Sequence, residues 1–236
     1  MSLLILASAS PRRRELLALT GLPFDVRAAG IDETPQPGEA AVDYVRRVAR
    51  EKALEITTQS VQLPIANNEN SYWLLVIAAD TEVVIAGEIL GKPRSAEEAT
   101  AMLVKLRGRR HEVISAIAVV DTRSGELHEE LCRSEVPMRD YSDAELAEYV
   151  ATGDPLDKAG AYAIQHNGFR PVENFSHCYA SVMGLPLCHL ARVLRQFGLE
   201  PEADVPAACQ KFNNYQCPVY REILETRENR ETPLIR

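Results

Sequence analysis

Several short polar stretches in this chain carry residue types suited to handling phosphate. Ser8-Ala9-Ser10-Pro11-Arg12-Arg13 follows the apolar run Leu3-Leu4-Ile5-Leu6-Ala7 and precedes leucines at helical spacing. A strand that feeds a helix through small residues leaves free backbone N–H groups at the helix start, a natural cradle for an anion. Two arginines in that first turn add forked donors suited to a polyphosphate. A solvated basic turn is the plainer alternative, although arginines at a helix start oppose the helix dipole. Ala78-Ala79-Asp80-Thr81 is read as the end of a very apolar strand. A carboxylate there could hold a divalent cation or accept a proton from water, or could merely cap a turn. Lys92, fixed between Gly91 and Pro93, could meet a phosphate or lie in an exposed turn. In Asp157-Lys158-Ala159-Gly160-Ala161-Tyr162-Ala163-Ile164-Gln165 the small residues allow close backbone approach, and Gln165 offers both a donor and an acceptor to a base edge. Glu33 and Lys52 complete the polar set.

The elements that must position these groups follow a strand–helix rhythm. Leu3 to Ala7 reads as a buried strand, Arg12 to Leu19 as a helix capped by serine and proline and closed by Gly21, and Phe24 to Ala28 as a strand. Ala40 to Ile56 places Val42, Val45, Val48, Ala49, Ala53 and Ile56 on one helical face. Leu74 to Ala79 and Val83 to Ala86 read as two separate strands, and Ser95 caps a helix reaching Leu106. Strands His111 to Asp121 and Leu127 to Val136 flank a turn at Ser124-Gly125. Ser142 caps a helix to Val150, and a last helix within Gly184 to Phe197 is stopped by Gly198. Thr57 to Tyr72 reads as a surface loop. Beyond Glu200 the pattern fades, and Arg221 to Arg236 is expected to be loosely ordered or docked on a partner.

Composition narrows the function classes. The 236 residues are 46% hydrophobic and 25% charged, the balance of an ordinary globular protein. A net charge of −8 disfavours a nucleic-acid polymer as partner but leaves a small phosphorylated ligand open. No apolar run approaches the roughly 20 residues of a membrane span. The first residues read as a strand rather than a signal segment, so a cytoplasmic location is expected. The five cysteines form no CxxC pair and are expected to be buried free thiols.

Taken in order, the motifs resemble the Maf family of nucleotide pyrophosphatases over roughly residues 3 to 198. Ser8-Ala9-Ser10-Pro11-Arg12-Arg13 resembles that family's opening signature; Ile31-Asp32-Glu33-Thr34, Arg50-Glu51-Lys52-Ala53, Ala79-Asp80-Thr81, Gly91-Lys92-Pro93, Asp157 to Gln165 and Val182-Met183-Gly184-Leu185-Pro186-Leu187 follow in the same order. The resemblance implies an α/β fold, an elongated mixed sheet flanked by helices with a deep cleft between two lobes, related to the inosine-triphosphate pyrophosphatases. A catalytic domain over 1–198 and a C-terminal extension over 199–236, partly ordered or docked, are expected. The implied activity is metal-dependent hydrolysis of nucleoside triphosphates to the monophosphate and pyrophosphate. Asp80 is then the general base or a metal-associated acid, with Glu33 a further acid at the metal. Ser10, Arg12, Arg13, Lys52 and Lys92 hold phosphates, and Thr81 and Gln165 help choose the base. The implied cofactor is a divalent metal cation, Mg2+ before Mn2+, and a homodimer is the family expectation.

Arg12 directly after Pro11, Asp80-Thr81, and Lys158 with Ile164-Gln165 resemble the branch acting on dTTP and UTP. The alternatives are action on 7-methyl-GTP or other non-standard purine nucleotides, or a nucleotide-binding regulator of cell division without turnover. Two places depart from the family pattern, His177-Cys178-Tyr179-Ala180-Ser181-Val182-Met183 and His166 after Gln165. Both lie where they bear on the base pocket more than on the chemistry.

Overall fold

A computed structural model describes residues 2–61 and 73–225 of the chain. Its centre is a mixed sheet built from β1 (Ser2–Leu6), β2 (Phe24–Val26), β3 (Trp73–Ile85), β4 (Glu88–Ile89), β5 (Arg110–Asp121) and β6 (Leu127–Pro137), in the order β2-β1-β3-β5-β6, with β4 pairing β3. β1 runs parallel to both β2 and β3, whereas β3, β5 and β6 pair antiparallel. Helices cover both faces, as the expected α/β class requires. Among the described residues no helix is long and apolar enough to cross a membrane.

Alternation along β3 sorts its side chains between two cores. Leu75, Ile77 and Ala79 join Leu16 and Leu17 of α1 (Pro11–Ala18) and the buried face of α6 (Leu187–Gln196). Val76, Ala78 and Val84 meet Tyr44, Val45, Val48, Ala49, Ala53 and Ile56 of α2 (Ala41–Val61) on the opposite face. Farther along, Val83 and Ile85 belong to a third cluster with Leu103 and Leu106 of α3 (Ala96–Leu106) and Leu146 and Tyr149 of α4 (Asp143–Ala151). Residues 80–82 therefore lie at the seam between the cores.

That arrangement corrects the reading of Asp80 as the end of a strand. β3 runs unbroken through it, because Asp80 pairs with Ala116, Thr81 with Ser115 and Glu82 with Ile114 of β5. On the other side β1 stops pairing at Leu6↔Ile77, and the β3–β4 ladder resumes only at Val84↔Ile89. The chain leaving β1 turns into the Ser8–Ser10 loop, so the flank of β3 beside residues 80–82 opens into a cleft. Asp80 and Glu82 face α2, and Thr81 faces the other side of the sheet.

Other boundaries differ from the sequence reading. Thr57 to Val61 continues α2: Ser60 is buried, and the Thr57 and Thr58 hydroxyls donate to the carbonyls of Ala53 and Leu54 one turn back. The rest of that expected loop, and residues 226–236, lie outside the described residues. Beyond Glu200 two helices form, α7 (Val205–Asn213) and α8 (Tyr220–Glu225), with Val205 and Ile223 in the core that contains α6. All five cysteines are free; Cys132, Cys178 and Cys188 are buried, but Cys209 and Cys217 are only half-buried.

One glycine joins the lobes. Gly160 sits in a short 3-10 turn, Ala159–Ala161, at φ +67, and a Cβ there would lie 2.8–3.0 Å from the Val83 side chain. Its N–H donates to the Gly91 carbonyl at 2.8 Å, tying this turn to the loop that carries Lys92. Gly160→Ala therefore combines a crowded side chain with a left-handed backbone, at a cost of about 3 kcal/mol or roughly 6–12 °C of melting temperature. Thermal denaturation measures this, and Val83→Ala in the same chain should recover part of the loss. A loss below about 1 kcal/mol would show that the methyl has room.

Candidate active site

The cleft encloses about 360 Å3 and is lined from the two lobes by the Ser8–Arg13 loop, Glu33, Lys52, residues 80–83, Lys92, Lys158 and Gly184, among others. Of the residues singled out in the sequence, Ser10, Arg12, Arg13, Glu33, Lys52, Asp80, Thr81 and Lys92 all meet here. Gln165 does not line the cavity; it is half-buried in the turn that follows Ile164.

The first wall is the α1 start. Ser10 is the N-cap, its Oγ accepting from the Arg13 N–H at 3.4 Å, with Pro11 in the first turn. Ser8 Oγ accepts from the Ser10 N–H at 3.2 Å and from Arg13 Nη1 at 3.3 Å. Arg13 Nε donates to the Gly184 carbonyl at 2.9 Å, and burial pulls its pKa down although Asp80 and Glu33 oppose the shift. Arg13 is thus a held cation aimed across the cleft at acids. Arg12 is more exposed and lies 4.0 Å from Asp157.

The opposite wall is acidic. Lys52 occupies the apolar stripe of α2, one turn from Val48 and Ile56, and its buried ammonium donates to Asp80 Oδ1 at 2.9 Å and Glu33 Oε2 at 2.8 Å. The Tyr44 hydroxyl holds the Glu33 carbonyl at 2.8 Å, placing the loop that carries the acid. Glu82, which the sequence reading passed over, lines the same cavity two residues beyond Asp80. Asp80 Oδ2 and Glu82 Oε2 are both buried without a partner. A second acid at i+2 from the first, and so on the same face of the strand, was the available sign.

The two carboxylates bonded to the Lys52 ammonium, Asp80 and Glu33, fit a divalent cation only with help from the substrate. Among the described residues no group of three or more His, Cys, Asp or Glu could hold a metal by itself. The unpartnered Asp80 Oδ2 and the half-exposed Glu33 carboxylate match a hard cation held by one or two carboxylates and completed by substrate phosphate oxygens, a usual arrangement for Mg2+. The remaining cations sit nearby. Lys92 is exposed and electrostatically coupled to Glu82, while Lys158 is engaged by Asp154 Oδ1 at 3.0 Å and Asp157 Oδ1 at 2.6 Å.

The sheet's other face is lined with hydroxyls. Thr81 Oγ1 lies 2.8 Å from Ser115 Oγ, and Ser115 lies 2.7 Å from the Ser181 carbonyl. Ser181 belongs to the short helix α5 (Tyr179–Val182), within the segment where the sequence departs from the family pattern. His166, the other departure, accepts from the Phe169 N–H at 2.9 Å through Nδ1 and packs on Tyr149, a structural role.

Burial sets opposite pH dependences. Glu82 is pushed up to about 8, first by burial and then by Asp80. The folded protein keeps this proton at pH values where the unfolded chain, near 4.5, has lost it, so the group's contribution falls as pH rises from about 4.5 to 8. His111 and His189 are held down, to about 3 and about 4, by burial, and their contribution falls as pH drops below 6.5. Glu82→Gln removes the first dependence only. Unfolding free energies from denaturant titrations between pH 6.5 and 8 should decline less in the variant than in the wild type, by a difference on the order of 1–2 kcal/mol. Parallel curves would contradict the buried, protonated state of Glu82.

Comparison with known proteins bears on this site as a whole. The profile of the Maf-like protein family matches residues 3–197. The dTTP/UTP pyrophosphatase of Methylococcus capsulatus is 49% identical over 197 residues, covering 83% of this chain and 91% of the relative. The dTTP/UTP pyrophosphatase of Thermomicrobium roseum is 43% identical over 234 residues, covering 97% of this chain and 99% of its own. The solved Staphylococcus aureus Ham1 protein overlaps 59% of this chain and 73% of its own with a TM-score of 0.37 at 16% identity, too slight a likeness to argue from.

Proposed function

The chain belongs to the Maf family, and from that premise we propose that it hydrolyses dTTP and UTP to the nucleoside monophosphate and pyrophosphate with the help of a divalent cation, Mg2+. The observation that carries the reading is Lys52, whose buried ammonium binds Asp80 and Glu33 together across the cleft from Arg13. A triphosphate needs cations at one side and a base for water at the other, and this cleft has both polarities within one cavity.

In the proposed mechanism Asp80 accepts the proton of the attacking water. Its Oδ1 is occupied by Lys52, so the buried, unpartnered Oδ2 is the oxygen left for that proton. The water oxygen bonds to the α phosphorus, the bond to the bridging oxygen breaks, and pyrophosphate departs with that oxygen. Arg12, Arg13, Lys52 and Lys92 oppose the phosphate charges that otherwise repel the incoming oxygen, and Ser10 donates its hydroxyl proton to a phosphate oxygen. Glu33 and Asp80 would hold the cation, which when bound supplies neutralisation of phosphate charge and polarisation of water. Thr81 and Gln165 select the base, Thr81 from the cavity wall and Gln165 from the adjoining turn.

Pyrophosphate release with Mg2+ from dTTP, UTP, CTP, 7-methyl-GTP and ITP tests the reading. Release from dTTP and UTP well above the others supports it. Preference for 7-methyl-GTP or ITP would reassign the pocket to purines, and release from none of them would leave a binding protein without turnover.

A further inference from the structure

We propose that Ser115 fixes Thr81 as a hydrogen-bond acceptor, so that Thr81 reads the N3–H of uracil and thymine. The inference rests on the reading that the cleft takes dTTP and UTP, and adds to it a second residue and a direction of hydrogen bonding.

Direction follows from counting protons. A serine or threonine hydroxyl has one proton to give and two lone pairs to receive. Ser115 lies opposite Thr81 in the β3–β5 ladder and is completely buried. Its Oγ is 2.7 Å from the Ser181 carbonyl oxygen, which can only accept, so the Ser115 proton is committed there. The 2.8 Å contact between Ser115 and Thr81 must then use the Thr81 proton. Complete burial of Ser115 keeps water from exchanging these partners.

The fold holds the fixed end of this chain. Ser181 is completely buried, and its carbonyl also receives the Gly184 N–H at 3.0 Å. The Ser181 and Ser134 hydroxyls are 2.8 Å apart, and Ser134 in turn donates to the Cys178 carbonyl at 3.4 Å. A serine within the apolar run of β5, Ile114-Ser115-Ala116, has no packing reason to be there, and this chain of bonds gives it one.

Thr81 therefore meets the cavity with lone pairs and no proton. The pairing edge of uracil or thymine offers acceptors at O2 and O4 and a single donor between them, N3–H. An acceptor-only hydroxyl can bond that edge at N3 alone. Cytosine seated in the same position presents a bare lone pair at N3 to the Thr81 lone pair, because its one donor on this edge, the N4 amine, takes the place of O4 to one side. Mismatches of that kind cost roughly 10- to 100-fold in kcat/KM.

The test compares kcat/KM for UTP, CTP and 3-methyl-UTP in the wild type, Ser115→Ala and Thr81→Val, with melting temperatures alongside. The wild type should prefer UTP over CTP and reject 3-methyl-UTP, which lacks the N3 proton. Ser115→Ala releases the Thr81 proton to face cytosine, so the CTP:UTP ratio should rise about tenfold. A merely structural loss would lower both substrates together. Thr81→Val should lower UTP about tenfold and abolish most of the preference. A folded Ser115→Ala enzyme with an unchanged CTP:UTP ratio overturns the inference. So does a wild type that accepts 3-methyl-UTP as well as UTP, an arm that does not depend on any variant folding. A wild type inactive on both UTP and dTTP would instead overturn the proposed function, and this inference with it.

Discussion

Asp80→Asn should lower kcat by about a thousandfold, close to 4 kcal/mol of barrier, while the melting temperature changes little. Asparagine keeps the shape of aspartate and can still accept from Lys52 through its amide oxygen. It cannot take a proton from water, and it removes one of the acids that would hold the cation. Lys52 keeps Glu33 as a counter-charge at 2.8 Å, so the substitution does not strand a buried ammonium. Single-turnover rates on UTP, with thermal denaturation in parallel, measure both halves of the expectation. A variant within tenfold of wild type would remove Asp80 from the role of base.

Lys52→Met should damage both catalysis and the fold. Asp80 and Lys52 side chains are nearly inaccessible to solvent, at 6% and 9%, whereas that of Glu33 is half-exposed at 50%. Removing the ammonium leaves Asp80 buried beside Glu82 with no cation in contact, a loss on the order of 3 kcal/mol for a buried pair broken on one side. With Asp80 no longer held and the cleft short of one cation, kcat/KM at neutral pH should fall by about a hundredfold or more. Methionine fits the apolar stripe of α2, so packing is largely preserved. A folded variant within tenfold of the wild-type kcat/KM would mean that Lys52 neither opposes phosphate charge nor holds the acid.

Much of this site was legible in the residue order, because each motif combines a local geometric sign with a chemical one. Ser10-Pro11 announced a helix start, and Ser10 is its cap. Ser95 and Ser142 did the same for α3 and α4, the latter with a full capping box to Glu145. Helical periodicity found α2 but stopped it too soon, since Thr57, Thr58 and Ser60 are poor helix formers that tertiary burial and back-bonded hydroxyls carry along. The polar run Asp80-Thr81-Glu82 divided β3 in two on paper. Its backbone is indifferent to that polarity and pairs with β5 throughout, so the break is in the cores on either side.

What escaped notice were residues whose meaning depends on a distant neighbour. Glu82 acquires its perturbed state only from burial beside Asp80, and Ser115 its role only from Ser181, 66 residues away. The helices beyond Glu200 are short and weakly apolar, although Asp204 with Pro206 carries the same start signal as Ser10-Pro11. Tyr215 anchors that segment by reaching the carbonyls of Phe175 and His177, contacts no local pattern could announce.

The most direct test of the account is the identity of the products. UTP incubated with the wild-type protein and Mg2+ and followed by 31P NMR should yield UMP and pyrophosphate in equal amounts, with no UDP at any time. Accumulation of UDP and inorganic phosphate would mean that water attacks the terminal phosphorus, and the assignment of this cleft to α–β cleavage would be wrong.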